Sequence, residues 1–167
     1  MRGGAASWAF QEQDFHRIHQ ILEQLLRQAD ARCVLLVDRT GQLVTSVGER
    51  PAFDSTAFAS LAAADFSAND QLASMIGEQE FSSLFHQGEK ESMYLADIVK
   101  RLILVVLFDN RSTIGMVRLR VRSAVPQLGE LFEAMFERSA SGPGALGLED
   151  GFADEAEDEI DRLFGNL

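Results

Sequence analysis

The chain has 167 residues and a formal net charge of −11, and hydrophobic residues make up 46% of it. These values are typical of a single globular domain and exclude a disordered or fibrous chain. The negative charge disfavours binding to nucleic acid and to anionic lipid. The longest apolar run, residues 102–108, is too short for a membrane helix. The single cysteine, Cys33, excludes an internal disulfide, so we expect a soluble protein in the reducing cytoplasm.

The acidic residues are concentrated at the end of the sequence. Residues 149–167 contain eight acidic residues and one arginine, which account for −7 of the net charge of −11. A stretch rich in Gly, Ser and Ala, residues 140–152, is predicted to be a flexible linker. We therefore predict a disordered N-terminal extension over 1–9, a folded domain over 10–139, that linker, and an acidic amphipathic helix over 153–167.

The spacing of apolar residues predicts the elements of the folded domain. In chain order, they are a helix over 11–30, strands over 32–38 and 42–48, a helix over 55–76, strands over 83–88, 92–98 and 101–108, and a helix over 114–139. Residues 117–122 also alternate like a strand, but the helical spacing extends much further, so we predict a helix that is kinked at Pro126. Short connections favour antiparallel neighbours, which predicts an α+β fold with an antiparallel sheet flanked by helices.

The first helix is predicted to bury one apolar face. The residues of this face are Phe15, Ile18, Leu22, Leu25 and Ala29.

The second helix is predicted to bind another protein through its small side chains. Its large residues, Phe58, Leu61, Leu72 and Met75, lie on one side of the helix. The opposite side carries almost no bulky side chain, and its residues are Ser60, Ala63, Ala64, Ser67, Gln71 and Ser74. An outer face of Ala and Ser lets another backbone approach closely, although exposed helix-forming residues would give the same pattern.

No motif in the sequence predicts an active site. His16 and His19 have a spacing that could hold a metal ion, but no cysteine or carboxylate pair completes a ligand set, so we predict no metal site. The glycines of residues 142–147 match a dinucleotide-binding pattern but follow no predicted strand, and no phosphate-binding loop ending in Gly-Lys-Ser/Thr occurs. Cys33 lies in an apolar strand and is predicted to be inert. We therefore predict a protein that is not an enzyme and has no cofactor.

The acidic C-terminal segment is predicted to bind a partner. Ile160, Leu163 and Phe164 fall at helical spacing among its carboxylates. Because so short and acidic a helix is marginal by itself, it is expected to fold in a groove of another protein. A disordered segment that only improves solubility is the alternative.

Several stretches together resemble the Roadblock/dynein-light-chain family. They are VLLVDRTGQLV, FASLAA, LASMIGEQEFSSLFHQGEKESMYL and LILVVLFDNRSTIGMVRLRV, and the ending DEIDRLFG resembles the C-terminal element of a family member. The resemblance covers about residues 15–139. It implies a five-stranded antiparallel sheet with one long helix on one face and two on the other. The sequence departs from the family pattern at Asp65, Phe66, Asp70 and Gln71.

The resemblance also implies a homodimer that acts on a small GTPase. Family members pair through the third strand, which here implies an interface formed by Leu84, Phe85, His86, Gln87 and Gly88. The paired second helices then form a platform for a GTP-bound, Ras-like GTPase of the MglA type. Hydrolysis is accelerated without an inserted arginine, because residues of the GTPase itself are repositioned. Such proteins control bacterial cell polarity and gliding motility from the cytoplasm, with concentration at a cell pole.

The resemblance assigns a second contact to the acidic C-terminal segment. It would bind a separate face of the GTPase and influence nucleotide exchange, through Ile160, Asp161, Leu163 and Phe164. Two other functions remain open. One is a scaffold of the same family that recruits a GTPase or a polarity protein without activating it. The other is a ligand-sensing module related to profilin-like or PAS-like domains, for which the sequence offers no inward cluster of polar residues.

Overall fold

The computed structural model describes residues 11–141. The elements are α1 (Glu12–Gln28), β1 (Cys33–Asp38), β2 (Leu43–Gly48), α2 (Ser55–Met75), β3 (Ser83–Gln87), β4 (Ser92–Ile98), β5 (Leu102–Phe108) and α3 (Ile114–Ala140). This order confirms the predicted α+β fold, and α3 runs as one helix through Pro126. The predicted segments 1–9 and 153–167, and the linker beyond residue 141, lie outside the described residues.

The chain divides into two compact units. The main unit spans residues 10–133, and the described part of the second consists of the end of α3 and Ser141. Within the described residues, no helix has the length and apolar character that a membrane span requires.

The sheet has the strand order β2-β1-β5-β4-β3, and all neighbours are antiparallel. The strand β1 is buried along its whole length, and the central strand β5 is buried except at Leu107, which is half-buried. The strands β2 and β3 form the two edges and are more exposed. This placement leaves β3, the strand of the predicted dimer interface, with a neighbour on one side only within residues 11–141.

The two faces of the sheet hold different helices. Side chains of β1, β4 and β5 pack with α2 into an apolar core, whose buried members are Cys33, Leu35, Val37, Ala59, Ala62, Ala63, Phe66, Leu95, Ile103 and Val105. On the other face, His19 Nε2 of α1 lies 2.7 Å from Thr45 Oγ1, and Thr45 pairs with Leu36, which alternates with the core residues. Val121 of α3 lines a groove with Ala96, which alternates with Leu95. The helices α1 and α3 therefore cover the face opposite α2.

One predicted core residue of α1 is exposed. Ile18, Leu22 and Leu25 are buried as predicted, but Phe15 is 42% exposed and Asp14 is buried instead. A helix turns about 100° per residue, so residues 14 and 15 lie about equally far, on opposite sides, from the centre of the buried stripe, and helical spacing alone does not choose between them. The ring of Phe15 lies 4.6 Å from that of His19.

Candidate functional site

The ends of α2 are fixed by local signals in the sequence. The carboxylate of Asp54 accepts hydrogen bonds from the N–H groups of Thr56 and Ala57, at 2.9 and 3.3 Å, which satisfies donors that a helix start leaves unpaired. Gly77 follows the helix with a φ of +86°, a conformation that favours glycine and ends the helix. The predicted start and stop of α2 are thus confirmed.

The outer face of α2 carries large apolar side chains. Leu61, Leu72, Met75 and the adjoining Ile76 are 69%, 59%, 83% and 70% exposed, and we call them the apolar stripe. The inner face combines small residues with one large ring: Ala59, Ala62 and Ala73 are buried, and so is Phe66. Large apolar side chains exposed along one side of a helix are typical of a surface that binds another protein.

Five of the six residues predicted to dock a partner are exposed. We call these five the docking residues: Ser60, Ala64, Ser67, Gln71 and Ser74. The expectation that all the small residues form the outer face is wrong for Ala63, which is 7% exposed and belongs to the core. The error arises because alanine is small enough for either face. The docking residues therefore lie beside the apolar stripe, on the same exposed side of α2.

Ser60 fixes the start of α2 against the turn between β1 and β2. Its hydroxyl donates to the carbonyl oxygen of Gly41 at 3.3 Å. A Cβ at Gly41 would lie 3.1 Å from the Ser60 Cα atom, and Gly41 has a φ of +96°. Only glycine therefore allows this close approach.

The outer edge of β3 presents backbone N–H and C=O groups that form no hydrogen bonds with another strand of residues 11–141. The Asp97 N–H donates to the Ser82 carbonyl at 3.0 Å, so the residues that alternate with Ser82 direct their N–H and C=O groups at β4. Ser83, Phe85 and Gln87 consequently direct theirs to the open edge. Such an edge can pair with a strand of another chain.

The predicted interface residues lie along this edge and the turn that follows it. Leu84 packs against the core beneath α2, and the ring of Phe85 lies 6.2 Å from that of Phe108. His86 and Gln87 are exposed. A side chain at Gly88 would collide with the carbonyl oxygen of Glu91, so the tight turn between β3 and β4 requires glycine.

A side-chain contact joins the two surfaces. His86 Nε2 of β3 lies 2.6 Å from Asp65 Oδ2 of α2. The open strand edge and the exposed face of α2 are therefore held next to each other. Sequence reasoning did not predict this pair, because the two residues are 21 positions apart and belong to different elements.

Arg39 anchors the middle of α2. It follows β1, and its guanidinium donates to Asp70 Oδ2 at 2.8 Å and to the carboxylate of Asp97. The same group lies 4.6 Å from the centre of the Phe66 ring, a cation–π contact. Although burial alone would lower the pKa of Arg39, the hydrogen bonds to Asp97 and Asp70 raise it. Phe66 and Asp70, which depart from the family pattern, thus contact the same arginine.

A second charged cluster lies where β1 begins and β5 ends. Arg32 donates to Glu49 Oε2 at 2.7 Å and also binds Glu91, while Arg111 donates to Glu49 Oε1 at 3.2 Å and to Asp109 Oδ1 at 3.0 Å. The hydrogen bonds from Arg32 and Arg111 hold the pKa of Glu49 below its ordinary value. The cluster thus joins the residues that precede β1 and β4 to the residues that follow β2 and β5.

The histidines of α1 make ordinary side-chain contacts. His16 Nε2 lies 3.1 Å from Gln20 Nε2, and His19 contacts Thr45 as described above. No group of three candidate ligands for a metal ion occurs between residues 11 and 141. Cys33 is buried, and burial, followed by the charge of Glu49, raises the pKa of its thiol.

Known proteins resemble this chain in sequence and in fold. Residues 17–108 match the Roadblock/LC7 domain. The chain is 41% identical to Myxococcus xanthus MglB, with a TM-score of 0.71, over 75% of this chain and 95% of that one. The gliding protein MglB of Thermus thermophilus is 28% identical, with the same coverage and a TM-score of 0.71. No curated protein sequence matches the chain.

A more distant similarity concerns the fold alone. Acanthamoeba castellanii profilin IB is 10% identical, with a TM-score of 0.52, over 66% of this chain and 95% of that one. Three observations agree: the domain match, the identity to MglB of Myxococcus xanthus, and the order of the elements. The chain therefore belongs to the Roadblock/LC7 family.

Proposed function

We propose that this chain forms a homodimer that binds a small Ras-like GTPase of the MglA type and stimulates its GTP hydrolysis. The observation that carries the proposal is the exposed face of α2, where the apolar stripe lies beside the docking residues. The similarity to MglB supports it, because the resemblance of the sequence to that protein implies a GTPase partner.

The dimer is proposed to form through the open edge of β3. The unpaired backbone groups of Ser83, Phe85 and Gln87 can pair with the same strand of a second copy, which would join the two sheets. Since His86 contacts Asp65, α2 adjoins this edge, and a two-fold axis there would bring two α2 helices together.

The GTPase is proposed to dock on the paired α2 helices in its GTP-bound form. Small side chains at Ser60, Ala64, Ser67 and Ser74 allow a close approach of the GTPase backbone, and the apolar stripe supplies the buried area that a stable interface needs. Ala63 is excluded from this contact because it is buried against the sheet.

The proposed mechanism places the reacting groups in the GTPase. Residues 55–76 contain no arginine or lysine, so α2 has no cation to insert beside the nucleotide. Binding to α2 would instead favour the conformation in which residues of the GTPase orient the attacking water, which is activation by a shift of population. The chain is in this respect a regulatory subunit and not itself an enzyme.

The acidic C-terminal segment is proposed to bind a separate face of the GTPase. Ile160, Leu163 and Phe164 would supply the apolar contacts and Asp161 a charged one, and this contact would influence nucleotide exchange. The regulator would act in the cytoplasm at a cell pole and would control polarity and gliding motility.

The rate of GTP hydrolysis by the partner GTPase tests the proposal. We expect the full-length protein, in excess over the GTPase, to accelerate hydrolysis. The variants Ser67→Arg and Gln71→Arg are expected to abolish this effect, since each inserts a long charged side chain into the docking surface. Gln20→Arg, an equivalent change on the exposed side of α1, is the matched control.

Two outcomes would contradict the proposal. Unchanged hydrolysis in the presence of the wild-type protein would exclude activation, and binding without acceleration would favour a scaffold of the same family. Stimulation that survives both arginine variants would exclude α2 as the docking surface.

A further inference from the structure

A groove of about 420 Å³ lies between α3 and the strands β3 and β4, on the face of the sheet that α2 does not cover. Val121 and Val125 of α3 and Ala96 of β4 give it an apolar lining. Arg118 and Arg122 lie one helical turn apart and line the same groove. A ligand of this groove must therefore satisfy apolar and cationic groups together.

The arginines of the groove are not neutralised by the folded domain. Both Arg118 and Arg122 are exposed, and neither forms an ion pair with a carboxylate of residues 11–141. The intervening Arg120 has a buried Nε without a hydrogen-bond partner in that part of the chain. The acidic residue that lines the groove, Asp97, is already bound by Arg39. This part of α3 consequently attracts an anionic partner, although the net charge of the chain is −11.

We propose that the groove binds the acidic segment 154–164 of a second copy of this chain. That segment combines the two properties that the groove requires. It carries the carboxylates of residues 154, 155, 157, 158, 159 and 161 and the apolar side chains of Ile160, Leu163 and Phe164. The carboxylates would pair with Arg118 and Arg122, and the apolar side chains would cover Val125 and Pro126, which are more exposed than Val121.

The position of the groove beside β3 favours a second copy as the source of the segment. Ser83 lines the groove, and its backbone groups point to the edge at which the proposed dimer forms. A second copy that pairs with β3 at this edge would therefore lie next to the groove. Residues 142–153 can extend over roughly 40 Å, well beyond the radius of gyration of about 14 Å expected for a domain of this size.

This inference rests on the proposed homodimer and adds a regulatory step to it. The acidic segment is also proposed to contact the GTPase, and it cannot occupy both sites at once. The groove would hold the segment in the absence of the GTPase and release it when the GTPase binds, so the two sites would compete.

Paramagnetic relaxation in the full-length protein tests the inference. A nitroxide is attached to the variant Asn166→Cys, and the buried Cys33 is not expected to take the label. Labelled copies are refolded together with ¹⁵N-labelled, nitroxide-free copies, so that broadening reports contact between copies. We expect loss of the amide signals of Val121 and Val125, and their recovery at about 1 M salt, where the Debye length is about 3 Å.

Charge reversal supplies the control. In the ¹⁵N-labelled copy, Arg118→Glu with Arg122→Glu is expected to restore the groove signals. Arg17→Glu with Arg50→Glu changes the net charge equally at exposed positions outside the groove and is expected to leave the broadening unchanged.

The inference is overturned if the groove signals are not broadened, if broadening occurs only when both labels are on the same copy, or if charge reversal has no effect. The molar mass of the same sample separates this result from failure of the proposed function. A dimer that stimulates GTP hydrolysis without broadening contradicts the inference alone, whereas a monomer contradicts the inference and the proposed homodimer together.

Discussion

Arg39 connects three parts of the domain through one side chain: the turn after β1, the middle of α2 and the end of β4. The sequence places it in a turn but does not reveal its partners, because Asp70 and Asp97 lie 31 and 58 positions further along the chain. A departure from the family pattern at Asp70 thus has a structural explanation, since its carboxylate binds this arginine.

We expect Arg39→Met to lower the free energy of unfolding. The substitution leaves two carboxylates without their partner and removes the contact with Phe66. The cost should be about 2 kcal/mol, below the 3–5 kcal/mol of fully buried pairs, because the side chain is 24% exposed. Urea unfolding measures it. Arg17→Met on the exposed side of α1 is the control and should stay within about 0.5 kcal/mol of the wild type; equal losses in the two variants would refute the role of Arg39.

Glu49 gives the stability a defined dependence on pH. Hydrogen bonds from Arg32 and Arg111 lower its pKa in the folded state, below the unfolded value of about 4.3. Its ionised form therefore stabilises the fold above that value, and this contribution disappears as the pH falls through the folded pKa.

The variant Glu49→Gln should remove this dependence. We expect it to be less stable than the wild type near neutral pH and to approach the wild type as the pH falls below the folded pKa of Glu49, because the wild-type carboxyl is then also neutral. Urea unfolding at a series of pH values measures the difference. A difference that does not change with pH would show that the ionised carboxylate is not the stabilising group.

At the scale of elements, the sequence predicted every helix and strand but not the orientation of α2. The bounds follow from Asp54, Gly77 and the apolar spacing, all of which act locally. The orientation of α2 does not follow from local signals, because the helix has apolar residues on both sides. Leu72 is exposed although it is more apolar than Ala62, which is buried. Close packing decides the orientation: Ala59, Ala62 and Ala63 let the helix lie near the sheet, and Phe66 is buried in the same core.

This packing predicts that substitutions of two alanines of α2 have different effects on the free energy of unfolding. Ala62→Leu adds volume in the core beneath the helix and should lower the free energy of unfolding by about 1–3 kcal/mol. Ala57→Leu adds the same atoms at an exposed position and should change it by less than about 0.5 kcal/mol. Urea unfolding compares them, and similar values for both would contradict the orientation of α2.

The open edge of β3 predicts which proline blocks dimerisation. Gln87→Pro removes an N–H that points away from β4, so the ladder within one copy keeps its hydrogen bonds while pairing with a second copy loses one and meets the proline ring. We expect the molar mass from light scattering to fall to that of a monomer.

Ser46→Pro is the matched control on the opposite edge of the sheet. Its N–H also points away from its neighbour, since Glu49 donates to Arg32 and Ser46 alternates with the paired positions. This variant should remain a dimer. Loss of the dimer in both variants, or in neither, would contradict the proposal that the dimer forms through β3.

At the scale of the molecule, the sheet separates two surfaces with different chemistry. One carries α2 with its apolar stripe and no basic residue, and the other carries α3 with Arg118 and Arg122, which form no ion pair within residues 11–141. The sequence predicted the first surface as a place for docking, though with Ala63 misplaced. It could not predict the groove, because residues from β3, β4 and α3 meet only in the folded sheet.

The central claim is that a dimer, and not a single copy, activates the GTPase. GTP turnover by the small GTPase with the wild-type protein, Ser46→Pro and Gln87→Pro tests it most directly. We predict stimulation by the wild type and by Ser46→Pro, and none by Gln87→Pro at concentrations at which it is a folded monomer. Equal stimulation by the Gln87→Pro monomer, or no stimulation by the wild-type dimer, would contradict the account.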